Sequence, residues 1–220
     1  MIGELLPAEV ASVEAFADRP EVELFAVEEA FIARAVSKRR REFGTVRVCA
    51  RQALAELGVP AAPLIPGERG APAWPPGIVG SMTHCEGYRA AAVTSAPSIR
   101  SVGIDAEPHR SLPAGILESV SLADERDHLA RLRQARGEIH WERLLFSAKE
   151  AVYKTWYPLT RRELGFEDAR IRFDVDDGTF RAELLVDTSV PIGTDLSGFT
   201  GRWLVRNGLA ISAITLRWEA

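Results

Sequence analysis

Trp141, Leu144, Leu145, Ala148, Val152 and Trp156 recur every three or four residues, the period that lines up one face of a helix. The spacing predicts a helix over residues 138–157, ended by Pro158, which has no N–H to give the preceding turn. Phe43, Val46, Ala50, Ala53, Leu54 and Leu57 carry the same period through a helical stretch over 26–57. A break is expected there near Val36–Ser37, and Gly58 and Pro60 close the run. Leu122, Leu129 and Leu132 mark the inner face of a more polar helix over 121–135. Elsewhere the pattern reads as strands. Residues 78–84 and 88–95 are expected to pair through a short turn, and 101–107 is a third strand ended by Pro108. Further strands are expected near 169–175, 179–187, 199–206 and 209–218, with Asp176-Asp177-Gly178 as a hairpin turn. Residues 59–77 are rich in Pro and Gly and read as an ordered loop or a lid. Helices then strands, twice over, predict an α+β architecture of two similar halves, although no repeat is visible in the sequence itself.

Composition narrows the class. A chain of 220 residues with 46% hydrophobic and 26% charged content is long enough to bury a real core. No apolar run approaches the roughly 20 residues that span a bilayer. The N-terminal stretch carries acids where a secretory signal needs a basic start, so a cytoplasmic protein without membrane contact is expected. Cys49 and Cys85 are too few for a disulfide framework and lack metal-ligand spacing, so both read as free, buried thiols.

The net charge of −4 argues against general polyanion binding, but the charge is uneven. Arg34, Lys38, Arg39, Arg40, Arg41, Arg47 and Arg51 crowd one segment with Glu42 as its one acid. A basic patch on an acidic protein points to a specific anionic ligand or partner. Nucleic acid is disfavoured, because Phe43 is the one aromatic interleaved among these cations.

Three further stretches carry candidate chemistry. In the strand Val102–Pro108, Val102, Ile104 and Ala106 face one way and Gly103, Asp105 and Glu107 the other. Two carboxylates side by side suit a hard divalent cation, with Gly103 leaving room, or else form a solvated strand face. In Gly80-Ser-Met-Thr-His84, the hydroxyls of Ser81 and Thr83 and the backbone amides are placed to hold a phosphate. His84 is a donor to a phosphate oxygen or a satisfied turn histidine. In Lys149-Glu150-Ala-Val-Tyr-Lys154, Glu150 and Lys154 lie one turn apart, either as a surface ion pair or as site residues. Taken together, these groups fit a highly phosphorylated ligand and its metal. A Mg2+-dependent phosphohydrolase with water as nucleophile would use the same acids.

"VGIDAE" followed about forty residues later by "FSAKEAVYK" resembles the paired signature of the 4′-phosphopantetheinyl transferases. The likeness is to the larger, pseudo-dimeric type, and "SKRRREFGTVRVCARQAL" and "GERGAPAWPPGIVGSMTHCEGYRAAAV" resemble its actinobacterial and enterobactin-type branch. The resemblance covers about residues 30–160. It implies two subdomains related by a pseudo-twofold axis with the active site at their interface. Residues 1–100 would form the nucleotide side and 101–220 the metal and catalytic side. It implies transfer of the phosphopantetheine arm of coenzyme A to a serine of an apo acyl, aryl or peptidyl carrier protein. The released product would be adenosine 3′,5′-bisphosphate. Polyketide, nonribosomal-peptide or siderophore assembly would be the setting, and a monomer the state. Asp105, Glu107 and Glu150, with the Ala106 carbonyl, would hold Mg2+ or, in its place, Mn2+. Lys149 and Lys154 would face the phosphates, His84 and Thr83 would contact the pyrophosphate or the 3′-phosphate, and Arg39 and Arg47 would hold the nucleotide phosphates. Pro66 stands where the branch can carry a lysine, and Arg69 is the expected substitute. His84, Glu150 and Lys154 would serve the chemical step, with Glu150 as metal ligand or as base. Part of the basic segment, such as Arg40 or Arg41, would steer the carrier.

Overall fold

The computed structural model describes residues 1–187 and 196–218. After a short 3-10 turn at Ile2–Leu5, β1 (Ala11–Ala15) opens the chain, a strand that the sequence pattern did not reveal. Helices α1 (Ala26–Ile32) and α2 (Ser37–Glu56) follow, separated at the expected break, and then β2 (Val79–Cys85) and β3 (Tyr88–Thr94). The second half repeats the plan with β4 (Ile99–Pro108), helices α3 (Ile116–Val120), α4 (Ala123–Ala135) and α5 (Trp141–Thr160), and strands β5 (Ala169–Asp174), β6 (Thr179–Leu184), β7 (Gly198–Arg206) and β8 (Leu209–Arg217). Each half is therefore a strand, then helices, then strands, rather than helices first.

Two antiparallel sheets result, with strand orders β1-β3-β2 and β4-β8-β7-β6-β5. In the first, Ala91 and Val93 of β3 pack under Cys49, Ala50, Ala53 and Leu54 of α2. In the second, the stripe from Trp141 to Trp156 on α5 is buried against Ile171, Phe180, Phe199 and Ile214. A third core joins the halves: Tyr88, Ala90 and Ala92 of β3 meet Val102, Ile104 and Ala106 of β4 and Leu209 and Ile211 of β8. The chain is an α+β protein of two similar halves that share one core.

Pro158 does not end α5. Its missing N–H costs one bond within the last turn, while buried Trp156 and Tyr157 keep that turn packed. Arg161 then closes the helix in the left-handed region, at φ 55°, its N–H 2.9 Å from the Tyr157 carbonyl. No helix among the described residues is long and apolar enough to cross a membrane.

A buried carboxylate organises each half in the same way. Glu28 accepts the Phe25 N–H at the start of α1 (3.1 Å), the Leu64 N–H (2.8 Å) and the Arg51 guanidinium of α2 (3.0 Å). Glu125 accepts the Leu122 N–H at the start of α4 (2.7 Å) and the Ile171 N–H of β5 (2.7 Å), and it pairs with Lys149 of α5 at 2.8 Å. Both acids are fully buried. Each ties a short helix, a long helix and the returning chain at one point.

Gly103 is where α5 lies down on β4. A Cβ there would come within 2.2 Å of both the Ala151 carbonyl and the Thr155 hydroxyl, so the expected room beside the acids is filled by the helix. Lys149→Met should lower the unfolding free energy by about 3–5 kcal/mol, because Glu125 is left buried and unpaired. Urea denaturation reads this, and an unchanged midpoint would mean that the pair does not brace α5.

Candidate active site

Strand β4 is the edge of the larger sheet, and its neighbour across the seam is β2 of the smaller one. The two do not pair through backbone. Instead the Ile104 N–H donates to the Ser81 hydroxyl (3.1 Å) and the Ala106 N–H to the Thr83 hydroxyl (3.2 Å). The Thr83 hydroxyl in turn donates to Asp105 Oδ1 (3.1 Å). These hydroxyls, expected to hold a phosphate, stitch the halves together instead. N–H and C=O of one strand residue leave on the same edge, so the Ala106 carbonyl also opens toward the seam, as the Ile104 carbonyl does in accepting Lys154 Nζ (3.2 Å).

Over this seam, α5 brings Lys154 to Asp105, Nζ to Oδ1 at 2.7 Å. Of the two readings of Glu150 and Lys154, the mutual ion pair does not form, and Lys154 turns to the strand. Glu150 makes no hydrogen bond or ion pair with the described residues. Burial, and then the charge of Asp105, raise its carboxyl above the usual range. Glu107 is raised for the same two reasons, although Arg143 holds its Oε2 at 3.0 Å. From the other half, α2 brings Arg39 to His84, whose Nε2 accepts from Nη1 at 2.6 Å. Part of the His84 ring opens to the cleft. Desolvation, with Arg39 and Lys154 close by, still pushes it down to about 4, so the free imidazole is neutral at pH 7.

These groups border a cleft of about 720 Å3 between α2, α5 and the Pro/Gly loop. Arg39, Arg47, Arg69, His84, Glu150 and Lys154 all line it. Arg47 is more committed than a solvated helix face implies. Its Nε donates to the Leu64 carbonyl (3.1 Å), its guanidinium lies over the Phe43 ring at 3.4 Å, and burial lowers its pKa to about 10. Arg69 sits at the tip of the loop, in the left-handed region at φ 55°, and reaches across the mouth to Glu163 at 2.6 Å. A smaller hollow of about 240 Å3 shares Glu150 and Tyr153 with the cleft and runs on to Leu164 and Phe166.

Lys149 is the main correction. It was expected at the phosphates, but its ammonium is buried on Glu125 and donates to the Phe166 carbonyl at 2.6 Å. Neighbours on a helix point about 100° apart, and of the two Glu150 lines the main cleft, while Lys149 reaches the smaller hollow only. Arg40 is likewise engaged, on Glu29 (2.7 Å) and the Ile32 carbonyl (3.1 Å). Both cysteines are free, Cys49 buried but Cys85 only half-buried. The sequence reading missed Tyr153, Tyr157 and Arg143. The last lies seven residues, two helical turns, before Glu150, and that spacing was its available signal.

Among the described residues, no three acidic, histidine or cysteine side chains are grouped closely enough to hold a metal ion by themselves. Asp105 Oδ2, however, is buried without any hydrogen-bond partner. Beside it lie a seam-facing carbonyl and two further carboxylates. Mg2+ takes one or two carboxylates and completes its shell with water and phosphate oxygens, so the residues fit such an ion.

Comparison with known proteins shows the family. Residues 27–94 match the family model of the 4′-phosphopantetheinyl transferase N-terminal domain, and residues 101–197 match that of the 4′-phosphopantetheinyl transferase superfamily. The chain is 54% identical over 219 residues to 4′-phosphopantetheinyl transferase Svp of Streptomyces mobaraensis, covering 98% of this chain and 89% of the relative. It is 49% identical over 224 residues to 4′-phosphopantetheinyl transferase PptT of Mycobacterium tuberculosis, covering 98% of each. Enterobactin synthase component D of Salmonella typhi is more distant, 33% identical over 134 residues, which are 61% of this chain and 55% of that protein. The chain belongs to the 4′-phosphopantetheinyl transferase superfamily.

Proposed function

We propose that this protein moves the 4′-phosphopantetheine arm of coenzyme A onto a serine hydroxyl of an apo carrier protein. The observation that carries the reading is the seam itself. Lys154, Arg39 and His84 converge there on one cleft, beside a buried carboxylate oxygen of Asp105 that has no partner. The N-terminal half, residues 1–100, supplies the arginines and the histidine. The C-terminal half, residues 101–220, supplies the acids and Lys154.

In the reaction, the serine oxygen attacks the phosphorus that bears the arm. The bond from that phosphorus to the bridging oxygen breaks, and adenosine 3′,5′-bisphosphate leaves with the bond electrons. The serine proton goes to Glu150. Burial and the charge of Asp105 raise the Glu150 carboxyl, whereas a bound cation would favour its ionised form, so Glu150 serves first as a ligand and takes the proton through a water. Lys154, held on Asp105 and the Ile104 carbonyl, is fixed where negative charge gathers on the leaving phosphate. Arg39 and His84 orient the remaining phosphate oxygens. The smaller hollow beyond Tyr153, walled by Leu164 and Phe166, accommodates the uncharged arm. A Mg2+ ion on Asp105, Glu107, Glu150 and the Ala106 carbonyl would offset the charge of the pyrophosphate. Mn2+ would serve at the same oxygens.

Mass spectrometry of an apo carrier protein incubated with the protein, coenzyme A and Mg2+ tests the reading. A gain of one phosphopantetheine arm supports it, and an unmodified carrier beside hydrolysed coenzyme A would make the protein a hydrolase. Glu150→Gln and Asp105→Ala should each slow transfer at least about 100-fold, as loss of a preorganised charge does. Near-normal turnover in either would remove that residue from the site. The free His84 ring should titrate near pH 4 in an NMR experiment. A bound phosphate favours the imidazolium, so coenzyme A should raise that pKa by about one unit or more. A ring that titrates identically with and without coenzyme A would place His84 away from the phosphates.

A further inference from the structure

We propose that Arg143 is a positioning residue for this site, holding Glu107 so that its free oxygen joins the acids of the seam. The inference rests on the transferase reading for its purpose, but not for its geometry. Arg143 lies on α5 with its side chain 11% exposed. Its guanidinium spends all three of its edges. Nη1 meets Glu107 Oε2 at 3.0 Å, Nε the Arg110 carbonyl at 3.1 Å, and Nη2 the Ser111 carbonyl at 3.0 Å. The last two are the carbonyls of the chain just beyond β4, where Pro108 has ended the strand. One rigid fork therefore fixes both the acid and the loop it leads into, which a flexible ammonium cannot do.

Two consequences follow for the acids. First, α5 is tied to β4 by two ion pairs, Lys154 on Asp105 and Arg143 on Glu107, with Glu150 between them on the helix. The distance between the helix acid and the strand acids is thereby set. Second, the charges are balanced. Asp105, Glu107 and Glu150 bring three negative charges, Lys154 and Arg143 two positive ones. The net single negative charge accepts a dication, and the repulsion from Asp105 that still raises Glu107 and Glu150 is what such an ion would offset. Arg143 binds Oε2 alone. No hydrogen bond to Glu107 Oε1 is made by the described residues, which leaves that oxygen available to a cation.

The test measures Mn2+ affinity by electron paramagnetic resonance in the presence of coenzyme A, beside transfer kinetics and thermal melting. Arg143→Ala should weaken Mn2+ binding about 10–100-fold, the usual effect of removing a group that orients a metal ligand. The KM for coenzyme A should stay within about twofold, since the phosphate-binding residues are untouched. Arg143→Lys should recover part of the Mn2+ affinity, because it keeps the charge on Glu107 and loses the loop carbonyls. In a Glu107→Gln background, Arg143→Ala should add no further loss. Equal Mn2+ affinity in wild type and Arg143→Ala would overturn the proposal, as would the same loss in both backgrounds, since Arg143 would then only staple the loop. If Arg143→Ala fails to fold, Arg143→Lys carries the same cycle with the same two outcomes. A wild-type protein that binds Mn2+ but transfers no arm would refute the transferase reading and leave this one standing.

Discussion

Everything that faces the cleft depends on how the two long helices are held, and buried carboxylates hold them. Glu125 binds the start of α4, the first strand after α5 and the ammonium of Lys149 on α5. Glu28 does the corresponding work for α1, the chain at Leu64 and Arg51 on α2. Taking such charges out of water is expensive, and the pairs are weak evidence for stability. What they supply is direction. A carboxylate with two backbone donors and one cation tolerates a single arrangement of three chain segments. With Lys149 anchored inward, the next residue, Glu150, is turned toward the cleft.

The seam is the second constraint. Two sheet edges left side by side would expose unpaired amides to each other, which buried backbone does not tolerate. Ser81 and Thr83 satisfy the Ile104 and Ala106 amides with hydroxyls, leaving the carbonyls on that edge for cations. Lys154 already uses one of them. The same hydroxyl that closes the seam at Thr83 also orients Asp105, so the joint between the halves and the chemistry share atoms.

Much of this was legible beforehand. The apolar stripe of α5 and the alternation in β4 placed the core faces: Val102, Ile104 and Ala106 went inward and Asp105 toward the helix, although Asp105 is buried as well. Less legible was anything decided by a third partner. Nothing local distinguishes Lys149 from Lys154 as a phosphate ligand. Glu125, distant in sequence, makes that choice. Ser81 and Thr83 looked like free donors because the strand edge that occupies them could not be seen. Strand β1 is short and half-buried throughout, with too little alternation to register, and so the first half seemed to begin with helices. Pro158 was taken as a stop because packing of Trp156 and Tyr157 is invisible to a rule about local hydrogen bonds.

The matched carboxylates of the two halves also allow the halves to be laid over one another. Arg51 then takes the place of Lys149. Counting onward along α2, Gln52 stands where α5 has Glu150, and Glu56 where it has Lys154. The mirror position thus has a neutral amide in place of the acid and an acid in place of the ammonium, the wrong polarity for a polyphosphate. Its strand acid, Glu14, is already taken by the Met1 ammonium and the Tyr88 hydroxyl, each at 2.6 Å. The internal symmetry is architectural only. Stoichiometry should therefore be one nucleotide per chain.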